Sequence, residues 1–364
     1  MSARPSISNV RVDAWTVPTN EVEADGSFRW DSTTMVVVRA EAGGHCGLGY
    51  TYGHRAVVTV VRDTLAPLAE GRDPFDTRAM HRDAVIALRN AGYPGIGAMA
   101  VSAMDVAMWD LKAKLLDVSL PDLLSSTRRS LPVYGSGGFT SLDDDGLQSQ
   151  LAHWVGQGIG QVKMKVGTDP GRDGERTRIA REAIGPGAVL MVDANGAYDR
   201  KQALALADEF ADAAVGWYEE PVSSNDLEGL RLLRDRVPGG MEIAAGEYGW
   251  ANHYFASMLE AGAVDVLQVD ATRCGGYTGF LDAAALAHAH HIPLSAHCAP
   301  ALHGPVAAAV PELRHLEYFH DHVRLEAMAF DGVAPLQDGA LVPDRSRPGH
   351  GLVLREADME EHRI

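Results

Sequence analysis

Residues 161–166 read QVKMKV, residues 188–193 read AVLMVD and residues 215–219 read VGWYE. Each is a short apolar run with ionisable groups in its second half: Lys163 and Lys165, then Asp193, then Glu219. Runs 242–247, 264–270, 292–297 and 313–317 continue the pattern and end in Glu247, Asp270, His297 and Glu317. One apolar run ending in an acid means little. Seven, recurring roughly every twenty to thirty residues, imply successive parallel strands that deliver polar groups to one place. That place is the C-terminal mouth of a β/α barrel, where such folds keep their chemistry.

Working outward, helical spacing fills the intervals at 145–155, 174–184, 200–210, 227–236, 252–261 and 279–290. A first strand without a charged end is expected at 133–138. Upstream the pattern changes. Residues 10–17 alternate like a strand, and 33–40 are β-branched. Gly43, Gly44, Gly47 and Gly49 mark a turn and a return strand. A polar loop is expected at 19–31. Helices are expected at 56–69, 76–89 and 97–116, with Asp76 capping the second. Residues after Glu317 read as irregular. The expected architecture is α/β: an α+β capping domain over 1–125, a β/α barrel over 126–330, and a segment 331–364 that returns to the cap.

Composition narrows the classes. The chain has 364 residues, 46% hydrophobic and 22% charged, which suits a globular protein of barrel plus second module. A formal net charge of −17 argues against nucleic acid as a partner, because phosphate binding needs a basic face. Cys46, Cys274 and Cys298 form no CxxC pair and read as free thiols in a reducing compartment. Without a signal-like start or a long apolar run, the expectation is a cytoplasmic protein that meets no membrane.

Asp193, Glu219 and Glu247 end three consecutive strands. Three converging carboxylates make a hard, oxygen-only site suited to Mg²⁺. Zn²⁺ is less suited, since no Cys or His stands among these three ends. Lys163 and Lys165, spaced by two, share one strand face, and their mutual repulsion beside a cation would draw Lys165 toward neutrality as a base. Asp270 and His297 end the next two strands. A carboxylate orients an imidazole and raises its basicity, so this pair offers a second base across the metal. Glu317, if protonated, would donate a hydrogen bond to a substrate oxygen, and a salt bridge is the plainer role. Glu220 reads as structural. Asn195 is either a substrate contact or a turn residue before Gly196.

The segments VKMKVG, MVDANGAY, WYEEP, AAGE, LQVDATRCGGYTG, SAHCAP and HLEYF, in this order, resemble the mandelate racemase subgroup of the enolase superfamily. The resemblance spans essentially the whole chain. It implies a modified TIM barrel capped by the N-terminal module, and one Mg²⁺ per site on Asp193, Glu219 and Glu247. It also implies Lys165 as one acid/base, with Lys163 tuning it, and the Asp270–His297 dyad as the other, with Glu317 assisting. The implied reaction is abstraction of the proton α to a carboxylate through an enediolate, in a homo-oligomer acting on a small-molecule carboxylate. Of the outcomes, dehydration of a sugar acid to a 2-keto-3-deoxy acid is favoured. The polar segments 19–31 and 50–54 offer hydroxyl-binding side chains, chiefly Arg29 and His54. Racemisation or epimerisation of a 2-hydroxy acid is the alternative, with a cycloisomerase or a non-catalytic barrel behind it. Arg273 stands where the subgroup often carries Lys, and that changes the local geometry.

Overall fold

The computed structural model describes residues 4–364. Eight parallel strands run in sequence order: β4 (Leu131–Gly137), β5 (Gln161–Lys165), β6 (Val189–Asp193), β7 (Val215–Glu219), β8 (Glu242–Ala245), β9 (Val266–Val269), β10 (Leu294–Ala296) and β11 (Leu313–Phe319). Each hydrogen-bonds to the next, and β11 pairs with β4 to close the barrel, Leu316 opposite Val133. Parallel neighbours need crossovers, and a helix follows every strand.

Register explains why the polar groups meet. Lys165 lies opposite Asp193, and Asp193 opposite Glu219. Alternation sends one face of each strand inward. Below the polar layer the inward residues Tyr134, Met191, Trp217, Ala244 and Val266 pack as an apolar plug. The barrel interior is therefore a filled core with chemistry only at its upper end. In β4 the outward positions are Gly135 and Gly137. A Cβ at Gly135 would stand 2.6 Å from the Trp154 ring, so the helix Asp144–Gly156 lies directly on the strand.

The N-terminal module is an antiparallel sheet of β1 (Asn9–Ala24), β2 (Arg29–Ala42) and β3 (His45–Tyr52), backed by helices Thr77–Ala87 and Ile96–Leu115. The expected polar loop at 19–31 is mostly strand. Pairing breaks between Pro18 and Glu23, then resumes with Glu23 opposite Trp30 and Ala24 opposite Arg29. The polar composition hid an extension that proline and a register shift interrupt without ending. Only Asp25–Phe28 turns, with Asp25 Oδ1 accepting from the amides of Ser27 and Phe28. Asp76 does sit at a helix N-cap, but its side chain makes no capping hydrogen bond.

The segment after Glu317 is less irregular than its composition implied. It holds the helix His320–Ala329, whose inner face carries Asp321, His322, Leu325 and Glu326, so a stripe that is half polar is nonetheless buried. Beyond it, Leu336–Gln337 and Ala340–Leu341 form a hairpin that adds antiparallel to the start of β4. The chain ends against the cap, where the amide of Ile364 donates to Ala14 O and the Arg363 guanidinium stacks over Trp15. No helix among the described residues is long and apolar enough to cross a membrane.

Candidate active site

Eight ionisable side chains meet at the barrel mouth, all nearly sealed from solvent; Lys165 and His297 are the most accessible, at 6%. Asp193, Glu219 and Glu247 each offer an oxygen, and these atoms lie within 4.8 Å of one another. Like charges at such separations repel strongly once buried. Cations offset this. Lys163 Nζ donates to both oxygens of Glu219, at 2.7 and 2.8 Å, and lies 2.9 Å from Glu317 Oε1. Lys165 Nζ donates to Asp193 Oδ2 at 2.5 Å. Trp217 Nε1 also donates to Glu219, at 2.9 Å.

These pairings correct two expectations. Burial pulls the Lys165 ammonium down and Lys163 helps, but Asp193 alongside overrides both and the net shift is upward, away from neutrality. Lys163 is likewise held charged, by Glu219 and Glu317 against its burial. Glu317 is not a protonated donor. Burial favours its neutral form, yet Lys163 and His297 hold it well below the usual carboxylate range. Its oxygens accept from Ser136 Oγ at 2.5 Å and from the Cys298 amide at 2.8 Å.

Across the mouth, His297 Nδ1 lies 2.8 Å from Asp270 Oδ2, and Asp270 Oδ1 accepts from the Thr272 amide at 2.7 Å. Burial works against the imidazolium, but Glu247 and Asp270 outweigh it and His297 is shifted upward. Its Nε2 points to the acids, 3.3 Å from Glu247 Oε2. The mouth thus carries an ammonium on one wall and an imidazole on the other, with three carboxylates between them. That is a geometry for moving a proton to or from either face of a small molecule.

The acid trio suits Mg²⁺ on its own evidence. Its ligand atoms are oxygens only, and among the described residues Glu247 Oε2 is buried without a hydrogen-bond partner, 3.3 Å from the His297 ring. A lone pair left unspent inside a ring of carboxylates is what a hard cation takes up.

Of the expected substrate contacts, Asn195 is at the mouth. It adopts φ +46°, its amide donates to Asp193 Oδ1 at 2.9 Å, and its own Oδ1 is buried without a partner. Arg29 and His54 are exposed on the cap. His54 Nδ1 accepts from the amide of Ala56, so it serves the start of its own helix. Among the described residues neither makes a hydrogen bond or ion pair to the strand-end groups.

The cap reaches the mouth by other residues. Gly26, at the hairpin tip, packs so tightly that a Cβ would stand 2.4 Å from Ala194 O and 2.6 Å from Val166 O. Asp25 O accepts from Thr140 and Thr168. Tyr52 stacks on His322 at 3.6 Å, its hydroxyl buried and unpartnered.

Sequence reading gave Tyr248 and Cys298 no part in the site. Glu220 was assigned to structure because alternation turns it away. Instead the chain leaves β7 at φ +36°, and burial, then Glu247 and Asp193, push its carboxyl well above the usual carboxylate range. With Asn195, Ser223, Tyr248 and Tyr254 it lines a cavity of about 430 Å³. Arg273 bridges Glu247 Oε1 at 3.6 Å and Asp270 Oδ2 at 3.5 Å, and covers the Tyr248 ring. Cys298 places Sγ 3.3 Å from His297 Nε2. Direct adjacency in sequence to strand-end residues was the available signal for Glu220, Tyr248 and Cys298.

Residues 16–125 match the mandelate racemase/muconate lactonizing enzyme N-terminal domain and residues 146–358 the enolase C-terminal domain-like family. The chain belongs to the mandelate racemase/muconate lactonizing enzyme family of the enolase superfamily, a family of enzymes. It is 32% identical over 357 residues to the 3,6-anhydro-α-L-galactonate cycloisomerase of Streptomyces coelicolor, covering 96% of this chain and 97% of that one. A mandelate racemase/muconate lactonizing enzyme-like protein from Rubrobacter xylanophilus superposes with TM-score 0.96 at 52% identity, covering 99% of this chain and all of the other. The L-talarate dehydratase of Polaromonas sp. JS666, solved with Mg and L-glucarate, superposes with TM-score 0.88 at 31% identity over 99% of this chain and 98% of its own.

Proposed function

We propose that this enzyme removes the proton α to the carboxylate of a sugar acid and then expels the β-hydroxyl, giving a 2-keto-3-deoxy acid. The observation that carries the reading is the pair of opposed proton carriers, Lys165 and the Asp270–His297 dyad, flanking a buried acid trio. Asp193, Glu219 and Glu247 would hold Mg²⁺, the metal solved with the L-glucarate-bound relative. When bound, that ion supplies Lewis-acid stabilisation of the negative charge that builds on the substrate carboxylate.

The side chains divide the remaining work. His297, its Nδ1 fixed by Asp270, presents Nε2 to one face of the substrate and takes or returns a proton there. Lys165 Nζ does the same from the other wall. Lys163 is wholly buried among Glu219, Glu317 and Asp193, so its part is electrostatic support rather than proton transfer. Glu317 acts as an ionised brace that holds the Cys298 turn and Lys163 in place. Dehydration needs an acid to protonate the departing hydroxyl, and either carrier can return its proton there. The buried Tyr52–His322 stack beside the turn after β10 offers polar as well as aromatic surface, which favours a hydroxylated substrate over an aryl one.

Racemisation of a 2-hydroxy acid is the second reading, favoured by the same two-walled arrangement. Product analysis separates them. Purified enzyme with Mg²⁺ and single acid sugars should yield a 2-keto acid, and His297→Asn should abolish turnover of one configuration at the α-carbon. Inversion without keto acid would transfer the assignment to racemisation, and full activity of the variant on both configurations would remove His297 from the mechanism.

A further inference from the structure

We infer that the mouth contains a second cation site, formed by His297, Cys298 and Glu317, that takes a thiophilic divalent ion such as Zn²⁺ and so blocks His297. Cys298 Sγ lies 3.3 Å and Glu317 Oε2 3.8 Å from His297 Nε2. One ligand atom from each residue fits within 4.8 Å of the others, and all three residues are buried. Tetrahedral zinc with bonds of about 2.0–2.3 Å to nitrogen, oxygen and sulfur has ligand-to-ligand edges of roughly 3.3–3.6 Å. The two edges to Nε2, 3.3 and 3.8 Å, already stand near those separations.

The surroundings match what a zinc-binding histidine needs. Asp270 lies 2.8 Å from Nδ1, and Nε2 is the ring nitrogen on the side of Cys298 and Glu317. A carboxylate behind an imidazole fixes its orientation and strengthens it as a ligand. The turn after β10 aims the sulfur. Cys298 and Ala299 both take positive φ, +51° and +39°, which folds Sγ back over the ring that precedes it. Glu247 Oε2, 3.3 Å from the same Nε2, belongs to the acid trio and marks the border between the two sites, so the fourth position of the second site is left to water.

Ligand chemistry separates the two sites. The acid trio is oxygen only and hard, whereas nitrogen, sulfur and one carboxylate oxygen select a borderline or soft ion. Binding expels the thiol proton to solvent, and the thiolate becomes a ligand. The Nε2 lone pair is then committed to the metal and cannot accept a substrate proton. That last consequence rests on the proposed role of His297 as a base; the site itself does not.

The test uses the Mg²⁺-loaded enzyme. Cd²⁺ is titrated in while ultraviolet thiolate-to-metal charge-transfer absorption is followed, with Cys298→Ser and Cys298→Ala as controls for Cys46 and Cys274. Zn²⁺ inhibition is measured on the same three proteins. The expected result is a band that saturates at one equivalent in the wild type and is missing from both variants. Zn²⁺ inhibition should weaken at least about tenfold in the variants while their Mg²⁺-dependent turnover continues. No band in the wild type, or an equal band in the variants, would overturn the site. Equal Zn²⁺ inhibition of all three, relieved by excess Mg²⁺, would place the ion on the acid trio and overturn it too. A Cys298-dependent band without inhibition would uphold the site and count against His297 as the base.

Discussion

Glu219 receives both a bidentate contact from Lys163 and the Trp217 indole. Replacing it with Gln removes one of three negative oxygens while keeping shape. Titration calorimetry should show Mg²⁺ affinity falling at least about tenfold, since losing even an outer partner of a metal ligand costs that much. Unchanged affinity would contradict the assignment of the trio. At this scale the sequence was most legible where a strand end exposes a charged residue after an apolar run, as at Asp193, Glu219, Asp270 and His297. Protonation was not legible. The spacing of Lys163 and Lys165 suggested mutual repulsion, whereas their actual neighbours are carboxylates from other strands. Which charge dominates depends on register across the barrel, and that is a property of strand pairing, not of either residue's local sequence.

Among the elements, the hairpin tip of the cap makes the closest approach to the mouth, and Gly26 permits it. A Cβ there must displace backbone oxygens of the turns after β5 and β6, neither of which can yield cheaply. Gly26→Ala should lift the tip at a cost of about 1–2 kcal/mol, a factor of roughly 5–30. That should appear as a raised KM and faster proteolysis at residues 25–28, with kcat changing less. Wild-type KM and protease resistance together would show that the tip plays no part in holding substrate. Sequence reading gave this segment to substrate specificity and chose Arg29 and His54 by polarity. The cap packs onto the turns around the mouth through Gly26, the Asp25 carbonyl and Tyr52, whose placement depends on packing rather than polarity. Barrel strands were legible because apolar runs of fixed length repeat. The helix His320–Ala329 was not, because its buried face carries Asp321, His322 and Glu326, and hydrophobic periodicity cannot register a polar stripe that is satisfied by partners elsewhere.

Across the whole molecule, the cap and barrel are joined by buried polar contacts as well as apolar ones. Glu326 is central: Tyr50 of the cap donates to its Oε1 at 2.6 Å and the Ala301 amide to its Oε2 at 3.0 Å. Burial pushes its carboxyl from 4.5 up to about 8, with those two hydrogen bonds pulling the other way. The folded value lies above the unfolded one, so the folded protein retains a proton that the unfolded chain releases. Stability from this group is complete below pH 4.5 and declines as pH rises toward about 8, by up to a few kcal/mol. Thermal melts from about pH 5 to about pH 8 should therefore show a falling Tm that Glu326→Gln flattens, since Gln imitates the neutral acid. A variant that titrates like the wild type would assign the pH dependence elsewhere. None of this joint could be read in advance, because Tyr50, Ala301 and Glu326 are far apart in the chain. Abstraction of a proton α to a carboxylate is followed by incubating the enzyme and Mg²⁺ with acid sugars in D₂O and watching the α-carbon. The expected result is 2-keto acid from one or a few substrates, with deuterium entering the α-position of any acid that is recovered, and loss of both signals when Lys165 and His297 are replaced together. An enzyme that binds Mg²⁺ yet leaves every α-proton in place, or one that retains exchange without those two residues, would contradict it.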